Sequence, residues 1–106
     1  MTDLRVQIDL PMEKIEAFCQ RWNIAEFALF GSVLRDDFRS DSDVDVLVTF
    51  MAGSRQTLSD VLAMQEQIEQ IFGRKVDLID REDIQRSPNY IRRKAILNSA
   101  QTVYVA

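Results

Sequence analysis

Apolar residues along this chain change their spacing several times, and each change marks an element. Met12, Ile15, Phe18, Cys19 and Trp22 recur at three- and four-residue intervals, which predicts an amphipathic helix from Pro11 to Trp22. Pro11 opens it, where a missing N–H is harmless, and Asn23 ends it. Phe27 to Phe30 is a short apolar run that stops at Gly31-Ser32, the pattern of a strand running into a tight turn. Val33 to Phe38 predicts a short helix after the turn. The charged stretch Arg35 to Ser42 is rich in turn formers, as a loop is.

Asp43 to Phe50 reads DVDVLVTF, and five of the eight residues are β-branched or aromatic, which favours a strand. Alternation along a strand puts Val44, Val46, Val48 and Phe50 on one face and Asp43 and Asp45 on the other. A loop around Gly53 follows. Leu58, Val61, Leu62, Gln65, Ile68, Ile71 and Phe72 then mark one face of a long helix, with Gly73 just past its end. Lys75 to Asp80 (KVDLID) predicts a third strand, Pro88 to Ala100 a helical region, and Thr102 to Val105 a last short strand. Strands and helices alternate, so the expected class is α/β or α+β.

Composition narrows the choice of function. The 106 residues fit a single domain, 1–106, and a hydrophobic fraction of 46% supports a compact core without staples. The formal charge of −4 argues against broad, sequence-independent binding to DNA or RNA, which needs a basic surface. Cys19 is the only cysteine, so no intrachain disulfide forms, consistent with a reducing compartment. The first ten residues lack a signal-peptide pattern and no run of 18 apolar residues occurs, so a soluble, cytoplasmic protein without a membrane span is expected. The absence of histidine removes imidazole catalysis and His-rich zinc sites.

Three features carry chemistry: Gly31-Ser32 at a strand end, Asp43-Val44-Asp45 ten residues later, and Asp77 in the next strand. Glycine lets a backbone approach a phosphate because no Cβ intervenes. Ser32 offers a hydroxyl and an N–H at the start of the expected helix, an end that favours anions. Asp43 and Asp45 point the same way from one strand and suit a hard, oxygen-seeking cation such as magnesium. With Asp77 as a third carboxylate, two ions about 3.5–4 Å apart become possible. Alone, Gly-Ser is usually a turn and Asp-x-Asp a solvated strand face. Joined at this spacing, with each residue type at roughly 5–7% usage, the pattern arises by chance in about one in a thousand chains of this length.

The run FGSVLRDDFRSDSDVDVLVTF resembles the minimal nucleotidyltransferases of the DNA polymerase β superfamily, whose signature is Gly-Ser, ten residues, then Asp-x-Asp. VDLI, Val76 to Ile79, is similar to the family's third carboxylate strand and matches Asp77 to it. The ending SPNYIRRKAILNSAQTVY looks like its C-terminal helix and final strand. The resemblance covers most of residues 11 to 106. It implies a polymerase-β-like fold, a mixed sheet flanked by helices. It also implies ATP as substrate, two Mg2+ ions on Asp43, Asp45 and Asp77, and transfer of AMP to a hydroxyl. One departure is Asp36 after Arg35, where many relatives have glycine, in the loop that closes over the triphosphate.

Larger relatives carry extra domains for the acceptor, and this chain has little material left for one. The resemblance therefore implies a protein acceptor, a tyrosine of a HEPN-domain ribonuclease toxin that this chain neutralises as an antitoxin. Two alternatives stand beside it: an antitoxin that acts by binding alone, and an enzyme for a small molecule such as an aminoglycoside. Arg35 and Arg39, in the loop between the motif halves, are candidate phosphate ligands because arginine binds phosphate bidentately. Arg86, Arg92, Arg93 and Lys94 form a basic cluster that reads first as a solvated helix face. Phe18, Trp22 and Phe72 are expected in the core, Tyr90 and Tyr104 as packing residues, and Cys19 as a small buried hydrophobe.

Overall fold

The computed structural model of the chain describes residues 10–34, 39 and 42–106. The elements are helix α1 (Met12–Arg21), strand β1 (Ile24–Phe30), a 3-10 turn (Gly31–Leu34), strand β2 (Val44–Phe50) and helix α2 (Leu58–Phe72). They continue with strand β3 (Val76–Asp80), helices α3 (Arg81–Gln85) and α4 (Tyr90–Ser99), and strand β4 (Gln101–Val105). Among the described residues the strands form one sheet in the order β3-β2-β1-β4. β1 pairs antiparallel with both β2 and β4, whereas β2 and β3 are parallel, so the sheet is mixed. Parallel neighbours need a crossover, and α2 supplies it.

Each face of the sheet has its own apolar layer. Val44, Val46 and Val48 join Ile24, Phe27 and Leu29 on the face covered by α1 and α2, against Ile15, Phe18, Met64 and Ile68. Phe27 sits at the centre, edge-on to Phe18 and stacked with Phe72, with centroids 6.4 Å away in both cases. On the opposite face Ala28, Phe30 and Leu47 pack with Ile84 of α3 and Ile96 of α4. The result is a helix–sheet–helix sandwich.

Local chemistry sets the ends. Pro11 is the N-cap of α1, one position outside the helix, and Trp22 is its C-cap. The Trp22 indole N–H donates to Gln67 Oε1 of α2 at 3.0 Å, which leaves that ring half-buried. Thr57 and Asp60 form a reciprocal capping box at the start of α2, a feature worth about 1 kcal/mol. Gly73 takes the left-handed conformation at its C-cap, φ 68° and ψ 25°, and turns the chain toward β3.

Several sequence expectations are revised. β1 begins at Ile24 rather than Phe27, because pairing with β2 and β4 extends it beyond its apolar run. The short helix expected over 33–38 is a 3-10 turn over Gly31–Leu34; residues 35–38 lie outside the described residues. The apolar stripe of α2 overruns the core: Leu58, Val61 and Leu62 are 76%, 43% and 62% exposed, and Met64 takes the buried place instead. The helical region expected from Pro88 starts at Tyr90, and α3 precedes it as a separate five-residue helix capped by Asp80. Phe72 is half-buried against the core, and Tyr90 is exposed rather than packed.

Cys19 is fully buried, and burial, with a smaller contribution from Glu16, pushes its thiol up to about 12. At pH 8 a thiol at about 12 rather than 9.0 carries on the order of a thousandfold less thiolate. The folded protein should therefore resist iodoacetamide at pH 8 and react once unfolded in urea. Fast labelling of the folded form would contradict its burial. Because the folded value lies above the unfolded one, the neutral thiol's contribution to stability is complete below pH 9.0. It is lost as pH rises from there toward 12.

Candidate functional site

Register brings the acidic positions together. Phe30, the last residue of β1, lies opposite Asp45 on β2, and Asp45 lies beside Asp77 on parallel β3. Directly paired residues share a face, so Phe30, Asp45 and Asp77 form one row across three strands. Phe30 packs with Leu47, Ile84 and Ile96, which places the row on the α3/α4 side. Asp43 precedes β2 by one residue, and strand alternation associates it with the same side. Asp45 is half-buried, while Asp43 and Asp77 are exposed.

The chain leaves β1 at Gly31, whose φ of 76° is the left-handed region that side chains rarely adopt. A Cβ built there would lie 2.2 Å from Asp45 Oδ2 and 3.2 Å from its Cγ. The Asp45 carboxylate thus rests against a bare Cα, a contact that only glycine permits. Ser32 follows, half-buried in the turn. The turn has four residues, so an anion there would meet individual N–H groups and the hydroxyl rather than a helix dipole.

Arg39 is exposed, and its N–H donates to Ser42 Oγ at 3.0 Å while Ser42 N–H returns a bond to the Arg39 carbonyl at 3.0 Å. Arg35 lies outside the described residues. Among the described residues, no three His, Cys, Asp or Glu side chains converge tightly enough to enclose a metal ion. The donor set still fits magnesium, which takes oxygen ligands and commonly only one or two carboxylates alongside water and phosphate oxygens.

The basic cluster does not act as one unit. Arg86 pairs with Glu82 at 3.1 Å in an exposed (i, i+4) bridge. Arg93 and Lys94 both sit over the Tyr90 ring, at 5.5 and 5.8 Å, and Arg93 also donates to the Ser87 carbonyl at 2.9 Å. These cations explain how Tyr90 is held at the surface. A cavity of about 370 Å³ opens on the α2 side, bounded by Val48, Phe50, Met64, Leu78 and Asp80. Its lining includes neither Gly31 nor the aspartates of the row. Burial raises the Asp80 carboxyl above the usual range, opposed by the Glu82 N–H that it caps. Arg74 lies in no recognisable sequence motif, yet it donates to the carbonyls of Arg39 and Ser42, just before Asp43.

The nucleotidyltransferase domain profile matches residues 11–101. The chain belongs to the nucleotidyltransferase domain family. Within that family it is 32% identical over 78 residues to the protein adenylyltransferase MntA of Thermococcus cleftensis, covering 66% of this chain and 77% of MntA. It is 36% identical over 64 residues to a Methanocaldococcus jannaschii protein provisionally named a protein adenylyltransferase, covering 60% of this chain. That match spans 64% of the relative, just under two thirds of its length.

A solved structure provisionally named a minimal nucleotidyltransferase, 31% identical, superposes with a TM-score of 0.66 over 86% of this chain and 87% of its own. At 18% identity the chain shares its fold with a toxin–antitoxin structure containing AMP-PNP, with a TM-score of 0.68 over 92% of this chain and 75% of that one. It also shares it with the MNT antitoxin structure in complex with the tri-AMPylated Shewanella oneidensis HEPN toxin, with a TM-score of 0.59 over 89% and 69%. This nucleotidyltransferase is therefore a polymerase-β-like mixed α/β domain of the minimal type. No described helix is long and apolar enough to cross a membrane.

Proposed function

We propose that this nucleotidyltransferase moves AMP from ATP to a tyrosine hydroxyl on a HEPN-type toxin, and so neutralises it in the cytoplasm. The observation that carries the reading is the Asp45–Asp77 pair on one face with Gly31 pressed against Asp45, in a chain of this family. The acceptor is supported by the relatives' names and by the likeness to an antitoxin bound to an AMPylated HEPN toxin.

In this reading the turn at Gly31 and Ser32 receives the triphosphate through backbone N–H groups and the Ser32 hydroxyl. Arg39 and Arg35 bind phosphate oxygens bidentately. Asp43, Asp45 and Asp77 hold up to two magnesium ions, which when bound neutralise phosphate charge and make the acceptor hydroxyl more acidic. The hydroxyl oxygen attacks the α-phosphorus, a phosphodiester bond forms, and the bond to the β-phosphate breaks. Pyrophosphate leaves with that electron pair, and Asp77 takes up the hydroxyl proton. Residues 1–106 act as one catalytic domain, and the partner presents its own tyrosine.

The test mixes the protein with ATP labelled at the α-phosphate, magnesium and a candidate HEPN-domain partner protein. Label should appear on the partner, on tyrosine by peptide mass spectrometry, with loss of ribonuclease activity. Neutralisation with no label on the partner would replace the enzyme with an antitoxin that acts by binding.

A further inference from the structure

Asp43 lies one residue before β2, outside the ladder, and Asp77 is the second residue of β3, close to where that strand begins. Asp43 precedes β2, yet both peptide groups around it are tied to two consecutive residues. Arg74 Nη1–H donates to the carbonyl of Ser42, the peptide leading into Asp43, at 3.2 Å, and to the Arg39 carbonyl at 3.3 Å. The N–H of Val44, the peptide leaving Asp43, donates to the Lys75 carbonyl at 3.0 Å.

The same short segment is held from its other side. Among the described residues β3 is an edge strand, so part of its backbone has no strand partner there. Side chains of α2 take that place. Val76 N–H donates to Glu69 Oε2 at 3.2 Å, and Gln65 Nε2–H donates to the Val76 carbonyl, the peptide leading into Asp77. Gln65 also donates to Glu69 Oε2 at 3.0 Å, which fixes the two side chains relative to each other. Residues 74–77 thus form a rail bonded inward to the Asp43 strand and outward to α2. Gly73 aims it, because the left-handed C-cap ends α2 one residue earlier.

We propose that Arg74, backed by Gln65 and Glu69, is a positioning residue that sets the spacing of Asp43 and Asp77, because these side chains grip the main chain just before each of them. The proposal rests on the reading of these aspartates as metal ligands. The three side chains are polar, but Val76, which Gln65 and Glu69 hold, belongs to the α1/α2 layer, so the test reads folding beside metal binding. All three are half-buried, which partly shields their bonds to Ser42 and Val76 from water, whereas the bond from Arg74 to the Arg39 carbonyl is exposed.

The test is Mn2+ binding by the full chain, followed by electron paramagnetic resonance, with thermal unfolding alongside. Arg74→Ala should weaken Mn2+ binding about tenfold, as when a group that orients a metal ligand is lost. Its thermal midpoint should stay within about 5 °C of the wild type. Arg74→Lys, which keeps one donor, should fall between the two. Glu69→Gln, which keeps an acceptor for Val76, should bind better than Glu69→Ala. Wild-type Mn2+ affinity in Arg74→Ala overturns the proposal, as does weakening that only tracks the unfolded fraction. Asp43→Asn separates the two layers of the argument. If it binds Mn2+ normally, the ligand reading itself fails; if it is deficient while Arg74→Ala is not, only the positioning role fails.

Discussion

Asp45→Asn should lower AMP transfer roughly a thousandfold, about 4 kcal/mol of transition-state stabilisation, with little change in folding. Asp45 holds the middle of the acidic row, between the end of β1 and Asp77. Asparagine keeps its size and one carbonyl oxygen but removes the charge that a cation needs. It also relieves repulsion from Asp77, so the thermal midpoint should move by no more than a few degrees. Steady-state transfer of label from ATP, beside a melting curve, measures both. Transfer within tenfold of wild type would remove Asp45 from the catalytic machinery.

Gly31→Ala is expected to be nearly as damaging, for a different reason. The new methyl would fall 2.2 Å from Asp45 Oδ2, far inside contact distance, at a backbone φ of 76°. Either the carboxylate swings away or the turn moves. A displacement of about 1 Å at a reacting centre costs on the order of a hundredfold in rate. The left-handed backbone adds about 1–2 kcal/mol of instability. Gly53→Ala provides the control, because Gly53 has φ 81° but nothing within 4 Å of its added Cβ. It should lose similar stability and keep full activity. Equal activity loss in both variants would show that backbone strain, not the contact with Asp45, is at work.

Much of the site's outline was legible in the sequence. The alternation of DVDVLVTF separates Asp43 and Asp45 from Val44, Val46 and Val48, and those valines are buried under α1 and α2. The apolar run that stops at Gly31-Ser32 does end in a turn with a left-handed glycine. What escaped lacked a local signal. α3 has five residues, too few for a period to show, although Asp80 followed by Glu82 and Asp83 is a capping pattern. Gln65 looked like part of an apolar stripe and bonds instead to β3. Leu58, Val61 and Leu62 looked like core and stand beyond the area that the sheet covers.

The sequence by itself determined which residues are apolar, at what period, and where glycine breaks them; hence it determined the elements, the acidic face of β2 and the turn at Gly31. Only the tertiary structure decided that β3 lies parallel beside β2, that Asp77 stands level with Asp45, and that Arg74 reaches back to Ser42. Periodicity is a property of neighbours along the chain, set by backbone geometry that every residue carries with it. Strand order and register come from closing distant segments over a shared core, where a one-residue slip would turn the carboxylates to the other face.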